Sequence, residues 1–123
     1  MVGLPPAARL RRAADFAALR DGMRWQGRHF LLRWRTNLQG DARLGLAVSR
    51  KVSKHAVERN RIKRVVRESF RAEREGLSAL DILVIARASA AGVPNPGLFA
   101  DLGLAWSKLK TLKRAPAPGT IGG

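Results

Sequence analysis

The sequence predicts an α+β fold in a single small domain, because helical and strand-like patterns of apolar residues follow one another along the 123-residue chain. Alternating apolar residues over 28–36 predict a half-buried strand, and a continuous apolar run over 81–86 predicts an interior strand. Two longer segments, 58–75 and 96–112, carry apolar residues at helical spacing. We therefore expect the order helix, strands, basic helix, strand, helix, with the helices packed on a sheet of four or nearly four strands.

The first half of the chain is expected to form one helix and two strands. Residues 13–20 favour a short helix that Asp21 and Gly22 end. The first strand has two different faces, which carry Phe30, Leu32 and Trp34 on one side and Leu31, Arg33 and Arg35 on the other. The second strand, 43–49, follows a turn that contains Gly40, so we expect the two strands to pair as a hairpin.

The second half is expected to place a long helix between two strands of one sheet. That helix ends near Gly76, and the apolar run after it lacks polar alternation, which favours a strand covered on both faces. The last helix repeats large apolar residues at helical spacing, namely Phe99, Leu102, Trp106 and Leu109. The domain is expected to span 9–114, with a flexible lead at 1–8 and a disordered tail at 115–123, because the tail (APAPGTIGG) cannot pack.

The charge of the chain predicts a polyanionic partner. Lys and Arg number 24 against 9 Asp and Glu, and the formal net charge of +15 repels itself unless an anion neutralises it. Eighteen of the 24 cations are arginines, whose planar guanidinium can bind phosphate through two hydrogen bonds, so nucleic acid is favoured. The chain has no cysteine, and no apolar run approaches the roughly 20 residues of a membrane span. We therefore expect a cytoplasmic protein with no membrane contact.

Much of this charge lies on one side of the helix predicted over 58–75. At about 100° per residue, the apolar arc of that helix holds Ile62, Val65, Val66, Ser69 and Phe70. The opposite arc, called here the basic arc, holds Arg59, Asn60, Lys63, Arg64, Arg67, Arg71 and Arg74. Three cations in the preceding connection extend it: Arg50, Lys51 and Lys54. A solvated helix face normally alternates the sign of its charges, whereas this arc holds almost no acid, so it is predicted to bind phosphates. Arg61 alone falls outside it.

No group of residues predicts chemistry by the protein itself. His29 and His55 have no motif around them, and without Cys or Tyr the remaining nucleophiles are Ser and Thr in no recognisable context. The aspartates lie singly at turns and element edges, without the paired spacing of a two-metal nuclease. We expect no catalytic residue, no metal ligand and no cofactor bound by the protein alone, with solvated or capping roles for the aspartates. Trp34 and Trp106 are expected in the core.

Three segments together resemble the bacterial ribonuclease P protein subunit. They are Val48-Ser49-Arg50-Lys51, Glu58-Arg59-Asn60-Arg61-Ile62-Lys63-Arg64 and Arg67-Glu68-Ser69-Phe70-Arg71. The order Arg-Asn-Arg-x-Lys-Arg-x-x-Arg, which begins at Arg59, is similar to that family's signature helix. The resemblance covers about residues 10–112.

The resemblance implies a subunit of a ribonucleoprotein endoribonuclease that removes the 5′ leader of precursor tRNA. In that family the RNA subunit holds the catalytic Mg²⁺ ions, so Mg²⁺ is expected in the RNA-containing holoenzyme, with one protein per catalytic RNA. The residues that would contact the catalytic RNA are Arg50, Lys51, Lys54, Arg59, Asn60, Arg61, Lys63, Arg64, Arg67 and Arg71. Those that would form a cleft for the leader of precursor tRNA are Phe16, Arg20, Leu31, Arg33, Arg35, Ala47 and Ser49. The family fold, ribosomal protein S5 domain 2-like, implies a left-handed β-α-β crossover, although most such crossovers are right-handed.

Two positions and the function itself have alternatives at this point. Phe16 could stack on a leader base, which is worth about 1–3 kcal/mol, or it could belong to the core. Arg20 stands where many relatives have a second aromatic residue, and a cation–π or phosphate contact could replace that ring. A small structural ribosomal-type RNA-binding protein is the main alternative function. A protein-only nuclease is a third, and it would require activity without RNA.

Overall fold

The computed structural model describes residues 8–10, 12–38 and 40–114, and its elements follow the predicted order. Its helices are α1 (Ala13–Ala18), α2 (Ala56–Glu73) and α3 (Asn95–Arg114). Its strands are β1 (Met23–Gln26), β2 (Phe30–Thr36), β3 (Arg43–Ala47) and β4 (Leu80–Ala86). Short 3₁₀ turns follow α1, α2 and β4, at Leu19–Asp21, Arg74–Gly76 and Ala88–Ala90. The predicted α+β class is confirmed.

Little of the expected lead and none of the expected tail fall among the described residues. Residues 1–7 and 115–123, which hold most of the expected lead and the whole expected tail, lie outside the described residues. Ala8 is described, and it is 0% exposed and packs in the core. Ala8, which falls in the expected lead, therefore contributes to the described core, while the boundaries of lead, domain and tail stay predictions.

The strands form one sheet in the order β1-β2-β4-β3. β2 pairs antiparallel with β1 on one side and with β4 on the other, while β3 runs parallel to β4. The predicted hairpin between the strands at 28–36 and 43–49 is therefore wrong, because β4 lies between them. β4 is an interior strand of the sheet: it is apolar on both faces, and it pairs with β2 along one edge and with β3 along the other. The hairpin present joins β1 to β2, and β1 was missed because it has only four residues.

The main core lies between one face of this sheet and the helices α2 and α3, with the apolar arc of α2 buried as predicted. Trp106 of α3 is 1% exposed, and its Nε1 donates a hydrogen bond of 2.7 Å to Ser69 Oγ on α2. Trp34 of β2 is buried as well, so both tryptophans expected in the core are found there. Phe99 is 37% exposed, whereas its neighbour Leu98 is fully buried, so α3 presents Leu98 to the core instead.

The opposite face of the sheet, called here the open face, is covered only in part by α1 and the turn after it. The strand register places Arg33 of β2, Leu83 of β4 and Gly45 of β3 side by side on this face. Leu19, in the turn after α1, is fully buried, and that turn contacts β2 and β4. Leu83 and Ile85 remain half-buried. We expected β4 to be buried on both faces, but it is fully buried only on the face that points toward the core.

α2 joins β3 to the parallel strand β4, so the predicted β-α-β unit is present in the sheet. The left hand of this crossover stays a prediction of the resemblance. The arrangement places the basic arc of α2 away from the core and next to β3, which is one of the two edge strands of the sheet. The helix and the strand edge together form the region where the predicted binding residues lie.

Candidate nucleic-acid interface

The cations in the middle of α2 have no partners in the part of the chain that the structure describes. Across the described residues, no hydrogen bond or ion pair involves the side chain of Lys63, Arg64 or Arg67. Arg64 and Arg67 are exposed, and Lys63 is half-buried. Three like charges on one helix face, without a counter-ion from the described chain, keep their full attraction for an external anion. This part of the predicted basic arc is therefore available for binding.

The ends of the basic arc are occupied by contacts within the protein. Arg59 Nη1 donates a hydrogen bond of 2.9 Å to the backbone oxygen of Ser53. Arg74 lies in the turn after α2, where its Nε donates to the backbone oxygen of Ala42 at 3.0 Å and its Nη2 lies 3.9 Å from Asp41 Oδ2. Helical spacing placed Arg74 in the basic arc, but in the structure its side chain contacts the loop before β3.

The connection from β3 to α2 presents further cations from a fixed backbone. Val52 is buried in the core, and two serine hydroxyls accept backbone hydrogen bonds, Ser49 Oγ from Lys51 N at 3.2 Å and Ser53 Oγ from His55 N at 3.1 Å. The cationic side chains of this connection, Arg50, Lys51 and Lys54, are all exposed. The three predicted flanking cations therefore lie at the amino end of α2 on a short, internally bonded segment.

Arg61 lies outside the basic arc, as its helical position predicts, and it is paired with an acid. Its guanidinium binds the Glu58 carboxylate through two hydrogen bonds, from Nε to Oε1 at 2.8 Å and from Nη2 to Oε2 at 2.7 Å. These bonds, with one from the backbone of Gly92, lower the pKa of Glu58 to about 2, and the Glu58 contact raises the pKa of Arg61. Arg61 therefore differs from Lys63 and Arg67, whose charges have no acidic partner in the described segments.

Phe16 and two cations of α2 line one surface cavity. It has a volume of about 270 Å³ and is lined by Arg9, Leu10, Phe16, Leu44, Gly45, Leu46, Lys63 and Arg67. Leu10 N donates a hydrogen bond of 2.9 Å to Leu44 O, so the segment before α1 pairs with the edge of β3 and forms one wall. Phe16 is half-buried and stands outside the main core. The ring of Phe16 thus meets two cations of α2 in one cavity, although the sequence analysis placed the ring and these cations on separate surfaces.

A buried ion pair fixes the end of the open face beside α1. Asp81 is 6% exposed, and its carboxylate binds Arg43 Nε and Nη2, each at 2.8 Å. Asn37 Nδ2 donates to the same carboxylate at 2.9 Å, and Asp15 lies 3.7 Å from Arg43. The hydrogen bonds to Asp81 raise the pKa of Arg43 above its ordinary value. The solvated or capping role predicted for Asp81 is therefore wrong, because its carboxylate is buried and forms an ion pair with Arg43.

Neither a metal centre nor a membrane span was found in the described part of the chain. No group of three or more His, Cys, Asp or Glu side chains is placed to hold a metal ion there. No described helix combines the length and the apolar composition that crossing a bilayer requires. The candidate site therefore consists of cations, an aromatic ring and the edge of a sheet.

Comparison with known proteins identifies the family. The protein-family model described as Ribonuclease P matches residues 4–110 of the chain. The chain belongs to that family. The ribonuclease P protein component of Pseudomonas aeruginosa (strain LESB58) is 41% identical over 122 residues, which cover 94% of this chain and 90% of that protein. That of Thioalkalivibrio sulfidiphilus is 38% identical over 110 residues, covering 89% and 92%.

Solved structures of ribonuclease P proteins have the same fold. The Staphylococcus aureus protein matches with a TM-score of 0.76 and 34% identity, covering 83% of this chain and 96% of its own. The Thermotoga maritima protein matches with a TM-score of 0.72 and 31% identity, covering 89% and 98%. The chain is thus a protein component of the endoribonuclease ribonuclease P, a ribonucleoprotein of tRNA processing, and its family implies association with the RNA of that enzyme. Nothing in these matches favours the ribosomal alternative.

In this ribonuclease P protein, the residues expected to form the leader cleft lie on adjoining surfaces. Leu31, Arg33 and Arg35 share the open face with Ala47, and Ser49 lies two residues after the end of β3. Gly45 belongs to the open face and also lines the Phe16 cavity, so the two surfaces meet there. Arg20 is exposed in the turn after α1 and does not line that cavity.

Sequence reasoning missed two side chains on the floor of the open face. Leu83 and Ile85 of β4 lie between Leu31 and Arg33 of β2 and the small residues of β3. Because β4 reads as a continuous apolar run, its sequence does not reveal which alternate residues face the helices. The register with β2 supplies that information, since Leu83 pairs with Arg33 and Ile85 pairs with Leu31.

Proposed function

We propose that this ribonuclease P subunit binds the catalytic RNA through the free cations of α2 and of the connection before it, and holds the 5′ leader of precursor tRNA beside Phe16. One observation carries the proposal: the ring of Phe16 and the unpaired cations Lys63 and Arg67 line a single cavity. A strand of RNA offers one phosphate and one base per nucleotide, and this cavity offers a partner for each.

The cations supply affinity that does not depend on sequence. Each Lys or Arg that neutralises a phosphate releases counterions from the RNA, which makes binding stronger at low salt. Lys51, Arg64 and Arg67 are exposed and unpaired among the described residues, so the protein has no internal pair to break before it binds. A subunit that must stay with one RNA through many catalytic cycles benefits from such a surface.

The ring supplies a contact that tolerates different bases. Stacking of a base on an aromatic side chain is worth about 1–3 kcal/mol and is largely independent of base identity. Precursor tRNAs carry different leaders, so a subunit that favours precursor over mature tRNA needs a contact of this kind. Phe16 is half-buried and held over Gly45, which restricts the orientations of its ring before RNA arrives.

The hydrolytic chemistry is assigned to the RNA. Among the described residues, no group of three or more His, Cys, Asp or Glu side chains is placed to hold a metal ion. Ser89 Oγ lies 3.0 Å from His29 Nδ1, but this hydroxyl donates its hydrogen bond to the backbone oxygen of Arg28. The protein's part is to place the leader and to neutralise the charge that accumulates where substrate and catalytic RNA meet. We assign the catalytic Mg²⁺ ions to the RNA-containing holoenzyme, with one protein per catalytic RNA, acting in the cytoplasm.

The test compares precursor with mature tRNA in the reconstituted holoenzyme at low Mg²⁺. Phe16→Ala should lower affinity for leader-bearing tRNA by about 5- to 100-fold, the equivalent of one lost stacking contact, and leave affinity for mature tRNA unchanged. Phe99→Ala is the matched control, because Phe99 is partly exposed on α3 and outside the cavity. Equal losses for both tRNAs would reject the leader role, and turnover by the protein without RNA would reject the subunit role.

A further inference from the structure

Glu58, Arg61, Gly92 and Asn95 form a hydrogen-bonded group, called here the Glu58 cluster, that joins α2 to the first residue of α3 and to the segment before it. In addition to its two bonds to Glu58, Arg61 donates from Nη1 to Asn95 Oδ1 at 2.6 Å. The backbone N–H of Gly92 donates to Glu58 Oε2 at 2.8 Å. Gly92 has a φ of +78°, which residues with a β-carbon rarely adopt. The backbone at this contact therefore has a left-handed conformation that favours glycine. The cluster links sequence positions that are distant along the chain.

The first turn of α2 depends on this cluster because it lacks an ordinary cap. His55 stands at the N-cap position and makes no side-chain capping bond. Glu58 is the third helical residue, from which a capping-box glutamate would reach back to the N-cap amide. It accepts hydrogen bonds from Arg61 and Gly92 instead. The amino end of α2 is therefore held from outside the helix, by the connection between β4 and α3.

That turn carries part of the proposed RNA surface. Arg59 and Asn60 follow Glu58 directly, and Arg59 Nη1 binds the backbone oxygen of Ser53. The cations of the connection before α2, Lys51 and Lys54 among them, are thus tied to the same turn. A shift of this turn would move these groups together relative to Lys63 and Arg67.

Arg61 is poorly suited to bind a phosphate itself. Its Nε, Nη1 and Nη2 atoms all donate to oxygens of Glu58 or Asn95, and its charge is balanced by the Glu58 carboxylate. Its side chain is 28% exposed, whereas Arg64 and Arg67 are exposed and unpaired among the described residues. A phosphate at Arg61 would have to displace a bidentate carboxylate and would approach the negative charge of Glu58.

We propose that Arg61 is a positioning residue of the signature helix: with Glu58 and Asn95 it fixes the first turn of α2, and it makes no contact with RNA. The proposal rests on the proposed RNA-binding role of α2. It assigns different tasks to members of one short motif, since Lys63 and Arg67 bind phosphate while Arg61 sets where the start of the helix lies. Glu58, an acid within a basic surface, then supports RNA binding rather than opposing it.

The test measures the affinity of the folded protein for its catalytic RNA over a range of salt concentrations. Arg61→Ala and Glu58→Ala should each weaken binding by about fivefold, the effect of one net hydrogen bond, and the double variant should be no weaker than either single variant. The slope of log affinity against log salt should stay that of the unaltered protein. Lys51→Ala and Arg64→Ala are the contact controls, because both side chains are exposed, unpaired among the described residues and outside the Phe16 cavity; each should reduce the slope by about one unit.

Each other outcome has a definite meaning. A slope reduced by about one unit in Arg61→Ala would overturn the proposal, since Arg61 would then contact a phosphate. Tighter binding by Glu58→Ala would overturn it too, because the acid would be a mere repulsive charge. Lower stability with unchanged RNA affinity would make the cluster structural only and would also overturn it. Unchanged slopes in both contact controls would instead reject the RNA-binding role of α2 and of the connection before it. If Arg61→Ala does not fold, Asn95→Ala removes one bond to Arg61 and should give a smaller loss with the same unchanged slope.

Discussion

Phe16 packs against Gly45 so closely that a β-carbon at position 45 would lie 2.8 Å from the Cε1 atom of the ring. Leu10 would lie 3.3 Å from the same β-carbon. Gly45 has no unusual backbone conformation that would require glycine. The glycine therefore makes room for the ring of Phe16, whose Cε1 atom can approach β3 this closely only because no side chain projects from position 45.

Gly45→Ala should therefore displace Phe16 and weaken leader binding. The added methyl group must move the ring or the β3 edge, because contacts under 3.0 Å are not tolerated. We expect lower affinity of the holoenzyme for precursor tRNA with little change for mature tRNA, measured by equilibrium binding with and without a leader. Gly103→Ala is the control, since its β-carbon would meet nothing within 4 Å and should only favour the helix. Unchanged precursor affinity in Gly45→Ala would contradict the ring's placement as a binding group.

Removal of the Ser69 hydroxyl should destabilise the protein without affecting RNA. Trp106 Nε1 donates to Ser69 Oγ inside the core, so Ser69→Ala leaves a buried donor without a partner, at a cost of about 1–3 kcal/mol. Urea unfolding should report this loss, while the salt dependence of RNA binding stays the same. In a Trp106→Phe background the same change should cost clearly less, because no donor remains to be satisfied. Equal costs in both backgrounds would show that the hydrogen bond contributes nothing.

Glu58 should make the protein less stable in acid. Its pKa is 4.5 in the ordinary case and about 2 in the folded protein, so between these values the unfolded chain binds more protons and stability rises with pH. The stabilisation is complete above pH 4.5 and is lost as the pH falls toward 2. The difference in free energy of unfolding between the unaltered protein and Glu58→Gln should thus be constant at neutral pH and shrink in acid. The effect should be modest, since the side chain is 24% exposed. A difference independent of pH would contradict the paired carboxylate.

The basic arc could be predicted from sequence because helix geometry is local. The positions of Lys63, Arg64 and Arg67 relative to the buried Ile62 and Phe70 follow from spacing alone, and the structure agrees. The motif around these residues also identified the family, which the comparisons confirm. Spacing could not identify the partners of Arg59 and Arg61, because Ser53 precedes the helix and Asn95 begins the next one.

The site beside Phe16 could not be derived in full, because it depends on strand order. An apolar run such as β4 can pair with any other strand, and only the fold shows that it separates β2 from β3. The cavity further requires that the segment at Leu10 pair with Leu44 at the edge of β3. These contacts join distant parts of the chain, so neither periodicity nor the family motif reveals that Phe16 lies beside Lys63.

Photo-crosslinking from position 16 tests the central claim most directly. A photoreactive phenylalanine analogue in place of Phe16 would be irradiated in the holoenzyme bound to precursor tRNA, and the crosslinked nucleotides would be mapped. The same analogue at Phe99 serves as the control, because it lies outside the cavity. We predict crosslinks from position 16 to the 5′ leader and none from position 99. Crosslinks from position 16 only to the catalytic RNA, or to no RNA, would contradict the proposal that the leader lies beside Phe16.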